Sequence, residues 1–274
     1  MQLKELTGFD LGSYDANYTA RDAILYALAV GASASQLDLV YERDLRVLPT
    51  YACALGLWAV ERAGDLGAYD RKRSLHASQA LVMHRPMPRE GAVRMNGKVE
   101  AVWDKGNATV VEIAVNSDIF DTTYTIFLRG VGNWGGTSGP TAPTAQHTQS
   151  GAIWQANYNT PSILAAFYRL TGDLHPIHID PEVAKANNFD RPILHGLCTF
   201  GIAARMVAEA AESHPCDLRT IKARLSAPVI PGETITVSAR VGANMISFEA
   251  NVNDRAVLKG GEAIFASYTK TQKS

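Results

Sequence analysis

The sequence predicts an α+β protein made of two similar halves, each a helix wrapped by a curved antiparallel sheet. Three observations predict it. A stretch dense in Gly, Thr, Ser and Pro, residues 131–151, divides the 274-residue chain almost equally. The segments on either side of it open with the same capped helical pattern. Each half then closes on β-branched and aromatic alternation, so helices come first and strands follow, instead of alternating as βαβ units would.

In the first half, Thr19 precedes an apolar-periodic run over 20–30 that stops at Gly31. In the second, Thr160 precedes a run over 161–171 that stops at Gly172, with the same Thr-to-Gly spacing. Thr suits an N-cap, Pro161 a first helical turn and Gly a C-terminal cap. Leu48-Pro49 opens a run containing Gly56, much as Arg191-Pro192 opens one containing Gly201. The small residues of 196–211 (Gly201, Ala203, Ala204, Ala208) would let that helix lie close on a sheet. Strands are expected over 74–84, 99–103, 109–115 and 124–129, and again over 218–225, 234–241, 246–252 and 256–268. The halves so defined are 1–130 and 152–274, with 131–151 between them as a linker.

With 46% hydrophobic residues the chain can bury a sizeable core. A formal charge of −1 offers no basic surplus for a phosphate backbone, so no nucleic-acid partner is expected. Cys53, Cys198 and Cys216 are odd in number and lack metal-ligand spacing, which suits reduced thiols of an intracellular protein. The first five residues carry no apolar signal core, no run approaches membrane-spanning length, and Lys273-Ser274 is not a peroxisomal Ser-Lys-Leu address. The expectation is a cytoplasmic protein with no membrane partner.

The chemistry concentrates in Gly172-Asp173-Leu174-His175-Pro176-Ile177-His178-Ile179-Asp180-Pro181. Gly172 ends a helix and Pro176 pushes His175 toward an extended conformation. The segment therefore reads as a tight loop that turns Asp173, His175 and His178 toward one point, after which Asp180-Pro181 caps a short helix to about residue 188. No fourth ligand accompanies Asp173, His175 and His178, so no metal is expected. Among the other histidines, His195 reads as a brace for the loop, while His76, His84, His147 and His214 have no companion pattern. Cys198, next to Thr199, reads as a packing residue. Tyr51, Leu55 and Trp58 read equally as pocket lining or core.

Tyr168-x-Leu170-Thr171-Gly172-Asp173-x-x-Pro176-Ile177-His178, followed by Phe189-x-x-Pro192-Ile193-Leu194-His195-Gly196, resembles the signature of the MaoC-like, hydratase 2 family. The resemblance is dense over 168–201 and looser across the rest. It implies a tandem (double) hotdog fold and reversible hydration of trans-2-enoyl-CoA to (R)-3-hydroxyacyl-CoA, with no cofactor beyond the substrate's own coenzyme A. By the same resemblance, Asp173 and His178 are the catalytic pair. The Gly196 N–H is the oxyanion donor, with His195 and Leu197 beside it at the substrate, and a homodimer is expected. One position departs: the family has Asn where this chain has His175, which leaves open a functional replacement, a retuned pH profile or an altered activity. In place of the reactive loop the first half has Gly31-Ala32-Ser33-Ala34-Ser35, so one site per chain is expected, with the first half shaping the acyl pocket. The alternatives are a hotdog 3-hydroxyacyl-thioester dehydratase or thioesterase, and a non-catalytic acyl-CoA-binding protein.

Overall fold

The computed structural model describes residues 1–71, 74–140 and 153–266. The first half carries strands β1 (Asp10–Tyr18), β2 (Ser74–Met83), β3 (Gly91–Asp104), β4 (Ala108–Asn116) and β5 (Phe120–Arg129). Its helices are α1 (Ala20–Ala29), α2 (Leu37–Val40), α3 (Tyr51–Leu55) and α4 (Trp58–Asp65). The second half carries β6 (Ile153–Asn159), α5 (Leu164–Tyr168), α6 (Pro181–Ala186), α7 (Gly196–Ala210), β7 (Leu218–Leu225), β8 (Thr234–Val241), β9 (Ile246–Val252) and β10 (Arg255–Phe265).

All ten strands form one antiparallel sheet in the order β1-β3-β4-β5-β2-β7-β10-β9-β8-β6. Read outward from the centre, both halves repeat one topology, and β2 against β7 joins them. This is a double hotdog, and the tandem α+β expectation holds. Inward-facing residues alternate along β5, where Phe120, Thr122, Tyr124, Ile126 and Leu128 are buried, and along β8, where Ile235, Val237 and Ala239 are.

The wrapped helices differ between the halves. Helix α7 is continuous; α3 and α4 span the equivalent stretch but break at Gly56-Leu57. The Tyr124 hydroxyl donates to the Cys53 carbonyl at 2.6 Å, taking the acceptor that Leu57 N–H would use in an unbroken helix; Leu57 N–H bonds Ala54 instead. Gly201 does permit a close approach, but to α1 and not to a sheet. A Cβ there would lie 2.6 Å from Val30 Cγ1 and 2.7 Å from the Tyr26 hydroxyl.

Other expectations need correction. Thr19 caps α1 in a reciprocal box with Asp22, but Thr160 caps nothing. Its hydroxyl donates to the Glu233 carbonyl and accepts from Gly232 N–H at the turn into β8, and α5 starts only at Leu164. In each half a strand also precedes the first α-helix. β1 and β6 are the sheet's two edges, where one-sided pairing relaxes the need for a legible apolar alternation. Within the stretch read as a linker, residues 131–140 fold back on the β3–β4 hairpin. The Asp104 carboxylate accepts the Asn133 and Gly135 N–H groups, and Trp134 Nε1 donates to Thr109. Residues 141–151 lie outside the described residues. Among the described residues no helix is long and apolar enough to cross a membrane.

Candidate active site

The reactive loop is shaped by its own residues. Gly172 takes φ +133°, closed to ordinary side chains, and ends α5 with its 3-10 extension Arg169–Thr171. Asp173 Oδ1 then accepts the His175 N–H at 3.2 Å. Pro176 begins a 3-10 turn, Pro176–His178, and His175 caps it, Nδ1 accepting the Ile177 N–H at 3.2 Å. The same device recurs at Pro215–Asp217, where His214 Nδ1 accepts the Cys216 N–H at 3.1 Å. Asp180 caps α6 through the Glu182 N–H.

The loop turns Asp173 Oδ2 toward His178 Nε2 at 4.0 Å. His178 Nδ1 lies 2.9 Å from the Ile193 carbonyl, which can only accept, so Nδ1 carries the proton and Nε2 presents a lone pair. Burial holds His178 below the usual histidine range although the Asp173 charge opposes it. At neutral pH the pair is therefore two facing acceptors, with side chains 18% and 11% exposed, and not an ion pair.

His195 braces this arrangement from beneath. It is fully buried, donates from Nε2 to the Asp173 carbonyl at 3.1 Å, and stacks on His178 with ring centroids 3.6 Å apart. Burial, with His178 beside it, lowers it to about 3. Tyr168 packs against it at 4.8 Å. His175 stands further out, its ring 6.1 Å from that of His178, edge to face, and also lowered by burial. The structure thus brings Asp173, His178 and His195 together and leaves His175 at the rim with Nδ1 engaged.

Ligand atoms of Asp173, His178 and His195 lie within 4.8 Å of one another, a donor set of the kind divalent cations take. A metal must lie near the plane of each imidazole that binds it. Two rings stacked at 3.6 Å and tilted by only 26° share no such point at bonding distance. This geometry serves stacking better than coordination.

Gly196 opens α7, and the first N–H groups of a helix have no partner within it. Among the described residues Gly196 N–H takes no backbone acceptor, and Gly196 remains partly accessible. The Leu197 side chain is buried, which leaves its backbone at the open helix end. The positive end of α7 therefore faces outward directly above His195.

The first half also reaches this corner, which sequence reasoning missed. A methyl built on Gly172 would sit 3.9 Å from the Ala54 carbonyl oxygen. Asp173 acts electrostatically on Glu61 and on His76, and Arg71 acts on His175. Nothing in the local sequence around His76 signals this, because only the closed fold brings the two halves together here. Of the remaining histidines, His84 pairs with Asp121 at 3.0 Å, His214 pairs with Asp38 at 2.8 Å, and His147 lies outside the described residues. Cys198 is buried with its thiol on the Ala29 carbonyl, and burial pushes it well above the usual range, as suits packing. Tyr51 is core, wedged between Tyr18 and Tyr26, and Trp58 stacks on Tyr14.

Fold and site together define a double hotdog protein with an acid–imidazole corner where its halves meet. The model of the MaoC like domain matches residues 145–260, and that of the MFE-2 hydratase 2 N-terminal domain matches 16–130. A Dictyostelium discoideum protein named probable enoyl-CoA hydratase 2 is 32% identical, covering 98% of each chain. The peroxisomal multifunctional enzyme type 2 of Drosophila melanogaster is 35% identical over 94% of this chain, which spans only 46% of that longer protein. A MaoC-like dehydratase from Phytophthora capsici superposes with a TM-score of 0.86 at 26% identity, covering 97% of this chain and 98% of its own. The chain belongs to the MaoC-like, hydratase 2 family.

Proposed function

We propose that this protein hydrates trans-2-enoyl-CoA reversibly to (R)-3-hydroxyacyl-CoA at the Asp173–His178 corner. The observation that carries the reading is the pair of facing acceptors, Asp173 Oδ2 and His178 Nε2, 4.0 Å apart. One water donating hydrogen bonds of ordinary length to two groups, spread by its tetrahedral angle, ends on acceptors roughly 4.4 Å apart. The separation suits a single shared water.

In the forward direction Asp173 takes a proton from that water as its oxygen bonds C3 of the enoyl group, and the C2–C3 π electrons move onto the thioester as an enolate. The proton then passes from Asp173 to C2, so the water is added whole and the carboxylate is regenerated. His178, held neutral with its proton on the Ile193 carbonyl, orients the water through Nε2. The Gly196 N–H, with the positive end of α7 behind it, faces the thioester oxygen as charge develops there. Such a donor contributes on the order of 3 kcal/mol. The reaction is redox-neutral and asks for no redox cofactor. The first half, lacking a reactive loop, shapes the acyl pocket. A cytoplasmic homodimer working in fatty-acid metabolism is the setting we propose.

The test is a stereochemical assay with purified protein across enoyl-CoA chain lengths. Loss of the enoyl chromophore and formation of the (R)-alcohol are expected without additives. Release of free coenzyme A, or binding without turnover, defeats the reading.

A further inference from the structure

We propose that His76, supplied by the half that lacks the reactive loop, is a positioning residue for the catalytic acid: a β-bulge turns its imidazole inward at the corner that holds Asp173. The inference rests on the hydration reading above and adds a role for the first half beyond pocket shape.

The bulge is explicit in the register. On β2, Gln79, Leu81 and Met83 lie opposite Tyr124, Thr122 and Phe120 of β5, all on the buried face. Strict alternation would continue that face to Ala77 and Leu75. Instead the register slips between His76 and Ser78, and His76 falls opposite Ile126, another inward residue, while Leu75 turns outward at 49% exposure. An extra residue in one strand re-aims a side chain, and here the side chain re-aimed is an imidazole.

Its destination follows from three contacts. The β2–β7 ladder ends at Ser78 opposite Arg224, and the next residue of β7, Leu225, packs on Gly196, where a Cβ would meet it at 3.1 Å. His76 thus lies just past the ladder's end, beside the head of α7. Its ring lies 5.7 Å from that of Tyr124, whose hydroxyl holds the Cys53 carbonyl, and the neighbouring Ala54 carbonyl faces Gly172, the residue before Asp173.

The imidazole is also prepared for one role. Nε2 lies 3.0 Å from the Ser78 carbonyl, so it carries the proton and Nδ1 keeps a lone pair. Burial lowers His76 to about 4, opposed first by its hydrogen bond to Ser78 and then by the Asp173 charge, so it stays neutral at working pH. Among the described residues no hydrogen bond or ion pair joins His76 to Asp173, so this neutral acceptor works through a bridging water, holding the proton that Asp173 has taken in one orientation without removing it. Delivery to C2 is then steered and the proton count is unchanged.

Three variants test this. His76→Phe keeps an aromatic ring against Tyr124 but no acceptor, and His76→Asn keeps an acceptor near the Nδ1 position. The expected result is a kcat about tenfold lower in His76→Phe with KM little changed, and kcat largely restored in His76→Asn. Tyr124→Phe, which keeps the ring and drops the hydroxyl on Cys53, is expected to lower the melting temperature more than kcat. Full kcat in His76→Phe overturns the proposal, as does an equal loss in a folded His76→Asn, which would make the residue a packing group. Should His76→Phe fail to fold, His76→Asn alone decides. A wild-type protein without turnover defeats the hydration reading itself, whereas wild-type turnover with an indifferent His76 defeats only this inference.

Discussion

The duplicated fold gives the molecule two equivalent corners, at opposite ends of the β2–β7 pair, and they have opposite characters. At one, the loop after Gly172, the head of α7 and the start of β2 meet. Buried polar atoms there lack partners among the described residues: Tyr168 Oη, Arg169 Nε, Thr171 Oγ1 and His195 Nδ1. At the other, the loop after Gly31, the head of α3 and the start of β7 meet, and polar side chains are paired across the halves. Asp38 holds His214 at 2.8 Å and Arg46 holds Asp217 at 2.6 Å, beside a small cavity lined in part by Arg85 and Arg219. A folded chain rarely leaves buried polar atoms without partners. Their concentration at one corner marks it as the one shaped for a ligand, while a hydrogen bond from neutral His214 and the Arg46–Asp217 ion pair close the other as a structural clasp.

The largest effect that would break this contrast is at the acid. Asp173→Asn keeps the shape and the Oδ1 cap on His175 but removes the base, and kcat is expected to fall roughly a thousandfold with substrate binding retained. Turnover near the wild-type rate would move the chemistry elsewhere. Next comes the helix head. Proline fits the first position of a helix, and His195, with φ −58° and ψ 134°, already has the backbone that a following proline requires. Gly196→Pro therefore deletes one N–H without backbone strain, although its Cβ meets the Leu225 side chain at 3.1 Å; kcat is expected to drop about a hundredfold, against a small loss in Gly196→Ala, which makes the same contact and keeps the N–H. An unchanged kcat would remove the oxyanion role from α7.

How far the sequence reaches can be judged at the same corners. Local signals were legible: the Thr19 cap, the four second-half strands, and the Gly172–Pro176 loop that carries Asp173 and His178. Each depends on a few neighbouring residues, and β7, β8 and β9 fall on the expected positions. Contacts made only by the closed fold were not legible. The sequence offers His195 as a brace for the loop but not its stacking on His178 at 3.6 Å, and no residue pattern announces the bulge that turns His76 inward. The edge strands β1 and β6 escaped because each is paired on one side only, and Thr160 misled because its hydroxyl is engaged by a turn 72 residues away.

The buried imidazoles predict a pH dependence of stability with a definite sign. His195 and His76 are lowered by burial to about 3 and about 4, whereas in the unfolded chain each titrates near 6.5. As pH falls below 6.5 the unfolded state binds protons first. Stability present above that value is therefore lost toward pH 4, before most carboxylates contribute. The melting temperature should fall steadily between pH 6.5 and 4, and His76→Phe should flatten part of that slope. A constant melting temperature across the window would show that these rings are solvated. The clasp should matter less. Arg46→Ala and His214→Gln remove partly exposed pairs, with an expected cost of about 1 kcal/mol or less in denaturant unfolding and no change in kcat.

The smallest expected effect lies at the family departure, His175. Its Nδ1 caps the Pro176–His178 turn, and His214 performs the same service at Pro215, in the corner with no reactive loop. A residue repeated in that way at a site without chemistry is acting as a cap. Asn places its amide oxygen about where Nδ1 lies and is itself a favoured cap, so His175→Asn should preserve the loop and leave kcat within about twofold. Because burial lowers His175, the acid limb of the pH–rate profile should also change little. A loss beyond tenfold, with the melting temperature intact, would instead put the His175 Nε2–H in contact with the substrate and make the rim of this corner a third point of recognition.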